Sequence, residues 1–421
     1  MSASDHVIVV GGGVIGTCAA YYLASQGRPV TVLERDQVCA IGGGTYANAG
    51  LLTPGDVFPL ASPGALGKGM KWLFDATSPF YIAPRPDPAL LRWLALFARN
   101  CREAPMRAGM PVQRALNRTS ADLWAEIAAA ADVDFGYHQN GWLRLFTSGE
   151  GLAAAAEEVA QAASLGVDGE VLDAGRVREL VPGATDAVIG GVMYREDGHT
   201  IPNRAVEAVA RLAAERGAEF RAQTEVLDVE TSGRRVTRLI TSRGAIAVDG
   251  SVVLAAGAWS PPLGRRLRLD LPIQGAKGYS VTVARPEGLA ELPLYNGDGY
   301  VAITPMGDRL RFAGTLELAG LDLSIRWRRV AAIRRGAGQV LAGAAEWEPL
   351  EIWRGLRPCT PDGLPMIGRS PRHDNLVVAA GHCMLGLSIG PVTGKLVAQI
   401  IAGDQPAIDL TPLRIDRFPL L

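Results

Sequence analysis

The sequence predicts two interleaved folding textures, an α/β unit on a parallel sheet and an α+β unit on an antiparallel one. Three observations carry this. Short apolar strands alternate with helices at the start of the chain, residues 276–318 string short strands together through Gly-Asp turns, and 421 residues that are 48% hydrophobic exceed one ordinary core.

His6 to Val10 reads as a short buried strand that ends at once in Gly11-Gly12-Gly13. A helix follows over Val14 to Gln26, with Gly27 suited to its C-terminal cap, and Pro29 to Glu34 supplies the second strand of a βαβ unit. Pro79, Pro84, Pro86 and Pro88 mark an irregular connection. Helices are predicted over 119–132, 151–164 and 203–216, with strands at Trp142 to Thr147, Glu219 to Gln223 and Val252 to Ala256. Tyr279 to Val283, Tyr300 to Thr304 and Leu310 to Thr315 carry the antiparallel texture. The last helix, Pro391 to Ile401, follows a glycine-rich run from Gly381 to Gly390. The expected division gives residues 1–95, 165–268 and 362–421 to the parallel-sheet domain, and 96–164 and 269–361 to the other.

Composition excludes several classes. Lys plus Arg number 42 against 43 Asp plus Glu, so the chain lacks the basic excess of a nucleic-acid binder. The cysteines at 18, 39, 101, 359 and 383 form no C-x-x-C pair and no metal-ligand spacing, which suits reduced thiols in a cytoplasmic protein and predicts no metal site. The apolar run within MSASDHVIVVGGG is too short for a signal peptide and follows no Lys or Arg, and no stretch reaches the length of a membrane span. The expected location is cytoplasmic, at most peripheral to the inner membrane. Ala89 to Asn100, apolar with Arg92 and Arg99, suits either a buried helix or a membrane-surface element.

Gly11, Gly13 and Gly16 fit G-x-G-x-x-G between a strand and a helix, with Glu34 ending the second strand. Such glycines permit a tight turn, close approach to a pyrophosphate and close helix–strand packing, while the acidic residue accepts hydrogen bonds from ribose hydroxyls. NAD and FAD share this fingerprint. The small, polar, amide-rich segment Gly42 to Gly50 suits a backbone running beside a pyrophosphate and a flat ring, or else a surface loop.

With these blocks in order along the chain, the sequence resembles the D-amino-acid dehydrogenase group of the FAD-dependent D-amino-acid/glycine/sarcosine oxidase superfamily. The resemblance rests on VIVVGGGVIGTCAAYYLASQG with Glu34, on Thr45 to Gly50, on Val252 to Ser260, on Lys277 to Ser280, on Trp353 to Pro358, on Thr360 to Gly368, and on Gly381-His382 with Gly386. It implies non-covalent FAD, because some sarcosine oxidases attach flavin through a cysteine where Gly355 stands here. The implied cofactor contacts are Gly11, Gly13, Val14, Ile15, Gly16, Glu34, Arg35, Thr45, Asn48, Ala49, Gly50, Leu51, Val226, Ala256, Gly257, Trp259, Gly386, Leu387 and Ser388.

The resemblance also matches Arg357 to an arginine that pairs with the substrate carboxylate; a structural arginine bridging the domains is the alternative. An arginine fork orients a carboxylate by two parallel hydrogen bonds. Tyr279 is expected either to point at substrate or to pack in the sheet, and His382 to neighbour the flavin or to serve structurally. Cys383 reads as structural. The implied reaction is oxidation of a D-amino acid, with D-proline or cis-4-hydroxy-D-proline first, by hydride transfer to flavin N5, the electrons passing to a quinone or to oxygen. A glycine/sarcosine-type oxidase releasing peroxide and a non-catalytic FAD-binding subunit are the rival readings.

Overall fold

A computed structural model gives the fold and describes residues 5–64, 67 and 78–418. The strand Val7–Val10 lies inside a six-stranded sheet ordered 366–369, 376–380, 251–254, 7–10, 30–33, 218–221. Every pairing is parallel except the outermost, Met366–Arg369 against Leu376–Ala380. All four residues of Val7–Val10 are buried, as a parallel sheet covered on both faces requires. Val7 and Val9 pack with Ala19 and Leu23 of the helix Val14–Ser25 and with Leu396 and Val397 of the helix Gly390–Ala402. Ile8 and Val10 pack oppositely, with Val236 and Leu239 of a three-stranded sheet over 226–232, 235–241 and 244–247. Each such side chain contributes about 1.5–3 kcal/mol through its burial. The two helices touch at the backbone, because a Cβ on Gly394 would lie 2.5 Å from the Cys18 carbonyl.

The second sheet has nine strands. Its path runs 349–359, 274–284, 309–318, 301–306, 294–296, 142–146, 190–194, 169–173, and 80–82 pairs with 309–318. One face carries Val281, Val283 and Phe312 against Val330, Ile333 and Ala337 of the helix Trp327–Val340. The other turns toward loops of the first sheet. Ser280 Oγ donates to Ala47 O (2.8 Å), Arg311 Nη1 to Asn48 O (3.3 Å) and Trp353 Nε1 to Ile41 O (2.7 Å).

The predicted mixture of a parallel-sheet α/β unit and an antiparallel α+β unit is therefore the architecture observed. Two details differ from expectation. Gly169–Asp173 and Gly190–Tyr194 fall in the stretch expected to belong with the parallel sheet, yet they hydrogen-bond into the nine-stranded one beside Trp142–Phe146. The helix expected over 119–132 runs from Glu103 to Ala130 and contains Pro111. Pro111 costs its helix on the order of 3 kcal/mol, offset by the buried face that includes Met106, Met110 and Leu116. The apolar segment at 89–100 is the helix Pro88–Asn100, capped by Asp87 and buried through Leu90, Trp93, Leu96 and Phe97. No described helix is long and apolar enough to cross a membrane.

Candidate active site

A cavity of about 380 Å³ opens where the two sheets meet. The first sheet contributes the turn after Val10, the end of strand Val30–Leu33 and the residues after Leu254; the second contributes Leu356, Arg357 and Pro358. Gly11 has φ +109°, and a Cβ there would meet the Ala255 carbonyl oxygen at 2.5 Å. A Cβ on Gly16 would lie 1.8 Å from the Gly11 carbonyl oxygen, so this glycine sets the close helix–turn packing and does not itself line the cavity. A Cβ on Gly13 would meet nothing nearer than Thr45 Oγ1 at 3.5 Å, which leaves backbone open to the cavity. The helix starting at Val14 carries no acidic residue in its first turn, so its N-terminal N–H groups present positive potential to the cavity, as phosphate binding needs.

Glu34 holds this turn in place. Its Oε2 accepts from Gly12 N–H at 2.6 Å and its Oε1 from Asp36 N–H at 3.0 Å, and the residue lines the cavity. Each oxygen keeps a second lone pair for a ribose hydroxyl. Val14 N–H donates to Thr45 Oγ1 at 3.4 Å, and the Arg35 guanidinium stacks on Trp259 at 3.8 Å. Val14, Ile15, Arg35, Thr45, Asn48, Val226, Ala256, Gly257, Trp259, Gly386 and Leu387 all line the same cavity.

Arg357 occupies the end that the second sheet walls. It pairs in register with Ala276, on the face shared by Gly278, Ser280 and Trp353. A Cβ on Gly278 would lie 2.0 Å from Arg357 Nη1, so the guanidinium uses the space that glycine leaves. A bulge lies opposite Lys277–Tyr279, and Thr315 there takes φ +67° and accepts from Arg357 Nη1 through its carbonyl at 2.7 Å. Burial pulls the Arg357 pKa down from its ordinary value; the groups opposing this are Cys359, Cys383 and Tyr295, with no carboxylate among them. An arginine stays charged regardless, so the cavity wall holds a cation with no counter-ion among the described residues.

Several expected site residues stand elsewhere. Tyr279 lies on the opposite face of its strand from Arg357, because side chains alternate along a strand. Its hydroxyl donates to Glu317 Oε2 at 2.8 Å, in a buried cluster where Arg326 and Arg329 pair with Glu317 at 2.9 and 3.3 Å. It is a packed sheet aromatic. Ala49, Gly50, Leu51 and Ser388 stand outside the wall. Gly50 makes a close turn, where a Cβ would lie 2.4 Å from the Thr200 carbonyl oxygen, and Leu51–Leu52 pairs with Gly198–His199. Ser388 Oγ donates to Asn117 Oδ1 at 2.9 Å and accepts from Thr53 N–H.

His382 does line the cavity. Thr393 Oγ1 donates to Ile389 O at 2.8 Å, so at its 3.1 Å contact with His382 Nε2 the imidazole is assigned as donor. Burial pushes this imidazole down to about 3, which keeps it neutral. The sequence reading missed Thr224, Glu225, Leu227, Pro262, Leu263 and Arg266, which extend the cavity beyond Val226 and Trp259. Ser260-Pro261-Pro262, a helix start directly after Trp259, is the signal that could have found the last three. It also missed that Cys383 joins the wall. Away from this cavity, the fold brings ligand atoms of His138, His199 and Glu291 within 4.8 Å of one another, a grouping no sequence spacing announces.

A glycine turn shaped for a diphosphate, an acidic residue beside it and a cavity reaching a guanidinium with no carboxylate partner among the described residues define the class: a dinucleotide-dependent oxidoreductase. Residues 6–400 match the FAD dependent oxidoreductase family DAO, and the chain belongs to that family. Its cofactor is FAD, which sets aside the nicotinamide reading of the glycine motif. The chain is similar to a D-amino acid dehydrogenase of Cereibacter sphaeroides, 34% identical over 98% of this chain and 95% of that protein. It is 32% identical to a D-amino acid dehydrogenase of Agrobacterium fabrum, over 98% of this chain and 99% of that one. Among solved structures, glycine oxidase from Geobacillus kaustophilus superposes with a TM-score of 0.76 at 27% identity, covering 98% of both chains.

Proposed function

We propose that the chain oxidises a D-amino acid to its imine, which water hydrolyses to the 2-oxo acid, with bound FAD taking up the two electrons. The observation that carries this is Arg357, a cation in the cavity wall with no carboxylate partner among the described residues. Bound, non-covalent FAD supplies the two-electron acceptor. Arg357 binds the substrate carboxylate and fixes which α-hydrogen faces inward. Leu356, Pro358 and Leu387 line the same cavity. His382 stays neutral and donates to Thr393, so it takes no proton from the substrate amine, which is taken up deprotonated. Tyr279 has no part in this scheme.

The names of the two dehydrogenase relatives support the D-amino-acid class. The finer reading, D-proline or cis-4-hydroxy-D-proline, is supported by the resemblance carried by Gly381 to Lys395. A quinone is the proposed acceptor, following the dehydrogenase relatives, with contact at the membrane surface. The likeness to glycine oxidase favours one second reading, a glycine- or sarcosine-type oxidase that passes electrons to oxygen. We further propose that the cofactor domain comprises 1–95, 195–268 and 362–421, and that the substrate domain takes 96–194 and 269–361, the part of 1–95 at residues 65–66 and 68–77 lying outside the described residues.

An anaerobic flavin-reduction screen over D- and L-amino acids, glycine and sarcosine tests the proposal. Bleaching by D-proline or D-alanine is expected. Bleaching by glycine and sarcosine alone, with peroxide released in air, would replace the proposal with the oxidase reading. No bleaching by any of them would leave an FAD-binding subunit.

A further inference from the structure

Two cysteines far apart in sequence meet at the cavity wall. Cys359 ends the strand Pro349–Cys359, and Cys383 follows the strand Leu376–Ala380; their Sγ atoms lie 2.9 Å apart and both residues are buried. The backbone fixes the pair from both sides. Cys359 forms an antiparallel bridge with His382, and Cys383 N–H donates to Pro358 O at 2.9 Å. Cys383 is held at φ +48°, a left-handed conformation that a non-glycine residue adopts at a cost. No other two cysteines among the described residues share a hydrogen bond.

We infer that Cys359 and Cys383 are an oxidisable pair, closed reversibly into a disulfide by a peroxide-class oxidant that enters the cofactor cavity. Access divides the roles. Cys383 lines the cavity, whereas Cys359 does not and is sealed behind Trp93, whose Nε1 donates to its carbonyl at 2.9 Å. The Cys359 thiol is pushed well up by its hydrogen bond with Cys383 and by burial, with only the Arg357 guanidinium opposing, so it is not the first sulfur to react. Cys383 is thus the attacking thiol. Its sulfur takes one oxygen from hydrogen peroxide, giving a sulfenic acid and one water. The Cys359 sulfur then displaces that hydroxyl, forming the S–S bond and releasing a second water. Two thiols and one peroxide become one disulfide and two waters, the thiols losing two electrons and the peroxide gaining them. A small dithiol reverses the step by thiol–disulfide exchange and leaves as its own disulfide. The closed pair would tie the strand end that carries Arg357 to the His382–Ile389 segment, two parts of the same cavity wall. This inference concerns the cavity and holds whichever amine is the substrate.

The experiment treats the FAD-loaded protein with stoichiometric hydrogen peroxide, followed by denaturation without reductant, thiol counting and peptide mapping. The expected result is a fall from five free thiols to three, one cross-linked peptide joining 359 to 383, and restoration of all five by dithiothreitol. In C359S the reaction should stop at a sulfenic acid on Cys383, captured by a 1,3-dione probe, while C101S should cross-link as the parent does. If C359S fails to fold, the map of the parent protein decides alone. Recovery of both cysteines as free thiols, or oxidation of Cys18, Cys39 or Cys101 ahead of them, overturns the inference. Flavin absorbance followed in the same sample separates this outcome from a failure to hold FAD.

Discussion

Arg357 is a cation whose electrostatic neighbours include no carboxylate, and such a group gains most from a ligand that brings one. Truncating one partner of a buried, hydrogen-bonded charge pair costs on the order of 2–5 kcal/mol, so R357A should lower kcat/KM for flavin reduction by roughly a hundredfold or more while FAD stays bound. R357K keeps the charge without the fork and should recover only part of the loss. Stopped-flow reduction at varied substrate reads both, and an unchanged rate in R357A would take the residue out of the site. His382 predicts a different signature. Burial pushes it from 6.5 to about 3, and burial together with His138 pushes His199 from 6.5 to about 4. Below pH 6.5 the unfolded chain takes up protons that the folded chain refuses, so this share of stability is present above pH 6.5 and is lost as pH falls toward 4. The thermal midpoint should decline over that window, and H382N should flatten the decline; a profile that H382N leaves unchanged would exclude the imidazole as its source. Arg357 was legible in the sequence through a motif. Tyr279 was not, because the sequence does not say which face of a strand meets the substrate, and its partner Glu317 lies 38 positions away.

At the scale of elements, the antiparallel strand Gln274–Ala284 does two jobs on two faces. Lys277 and Tyr279 point to the buried charges, whereas Gly278 and Ser280 point to the cofactor loops. Gly278 is the place to move the clamp without breaking the fold. A Cβ there would sit 2.0 Å from Arg357 Nη1 but meets only the far end of a flexible side chain, so the guanidinium shifts and the strand stays. G278A should keep FAD and raise KM several-fold more than it lowers the limiting rate. Loss of FAD, or a fall in rate with KM unchanged, would mean the clamp was not what moved. Elements with a strong local signal were the legible ones: the strand–glycine–helix start and the last helix lie within a residue or two of expectation. The helix Glu103–Ala130 was seen only in its second half, since Pro105, Gly109 and Pro111 read as breakers and only tertiary burial outweighs them.

At the scale of the molecule, the cavity is walled by both sheets, with Glu34 and Ala256 on one side and Arg357 on the other. Its two ends were legible separately, as a glycine motif and as an arginine block, and their meeting was implied by the family resemblance alone. Nothing local links residue 34 to residue 357, and the sheet that joins 169–173 and 190–194 to 142–146 is itself a long-range pairing. A ligand that fills such a cavity binds the folded chain and not the unfolded one. It therefore stabilises the whole by about 2.7 kcal/mol at a hundred times its Kd. Stripping FAD should lower the thermal midpoint by a few degrees and re-adding it should restore the value, with the midpoint climbing as free FAD rises. G16A sets the contrast. Its Cβ would lie 1.8 Å from a backbone carbonyl, which cannot swing aside as the Arg357 side chain can. That variant should show the lowered midpoint and gain nothing from added FAD. Full rescue of G16A by FAD would show that the turn tolerates the methyl group, and that the phosphate cradle is not the rigid element the glycines indicate.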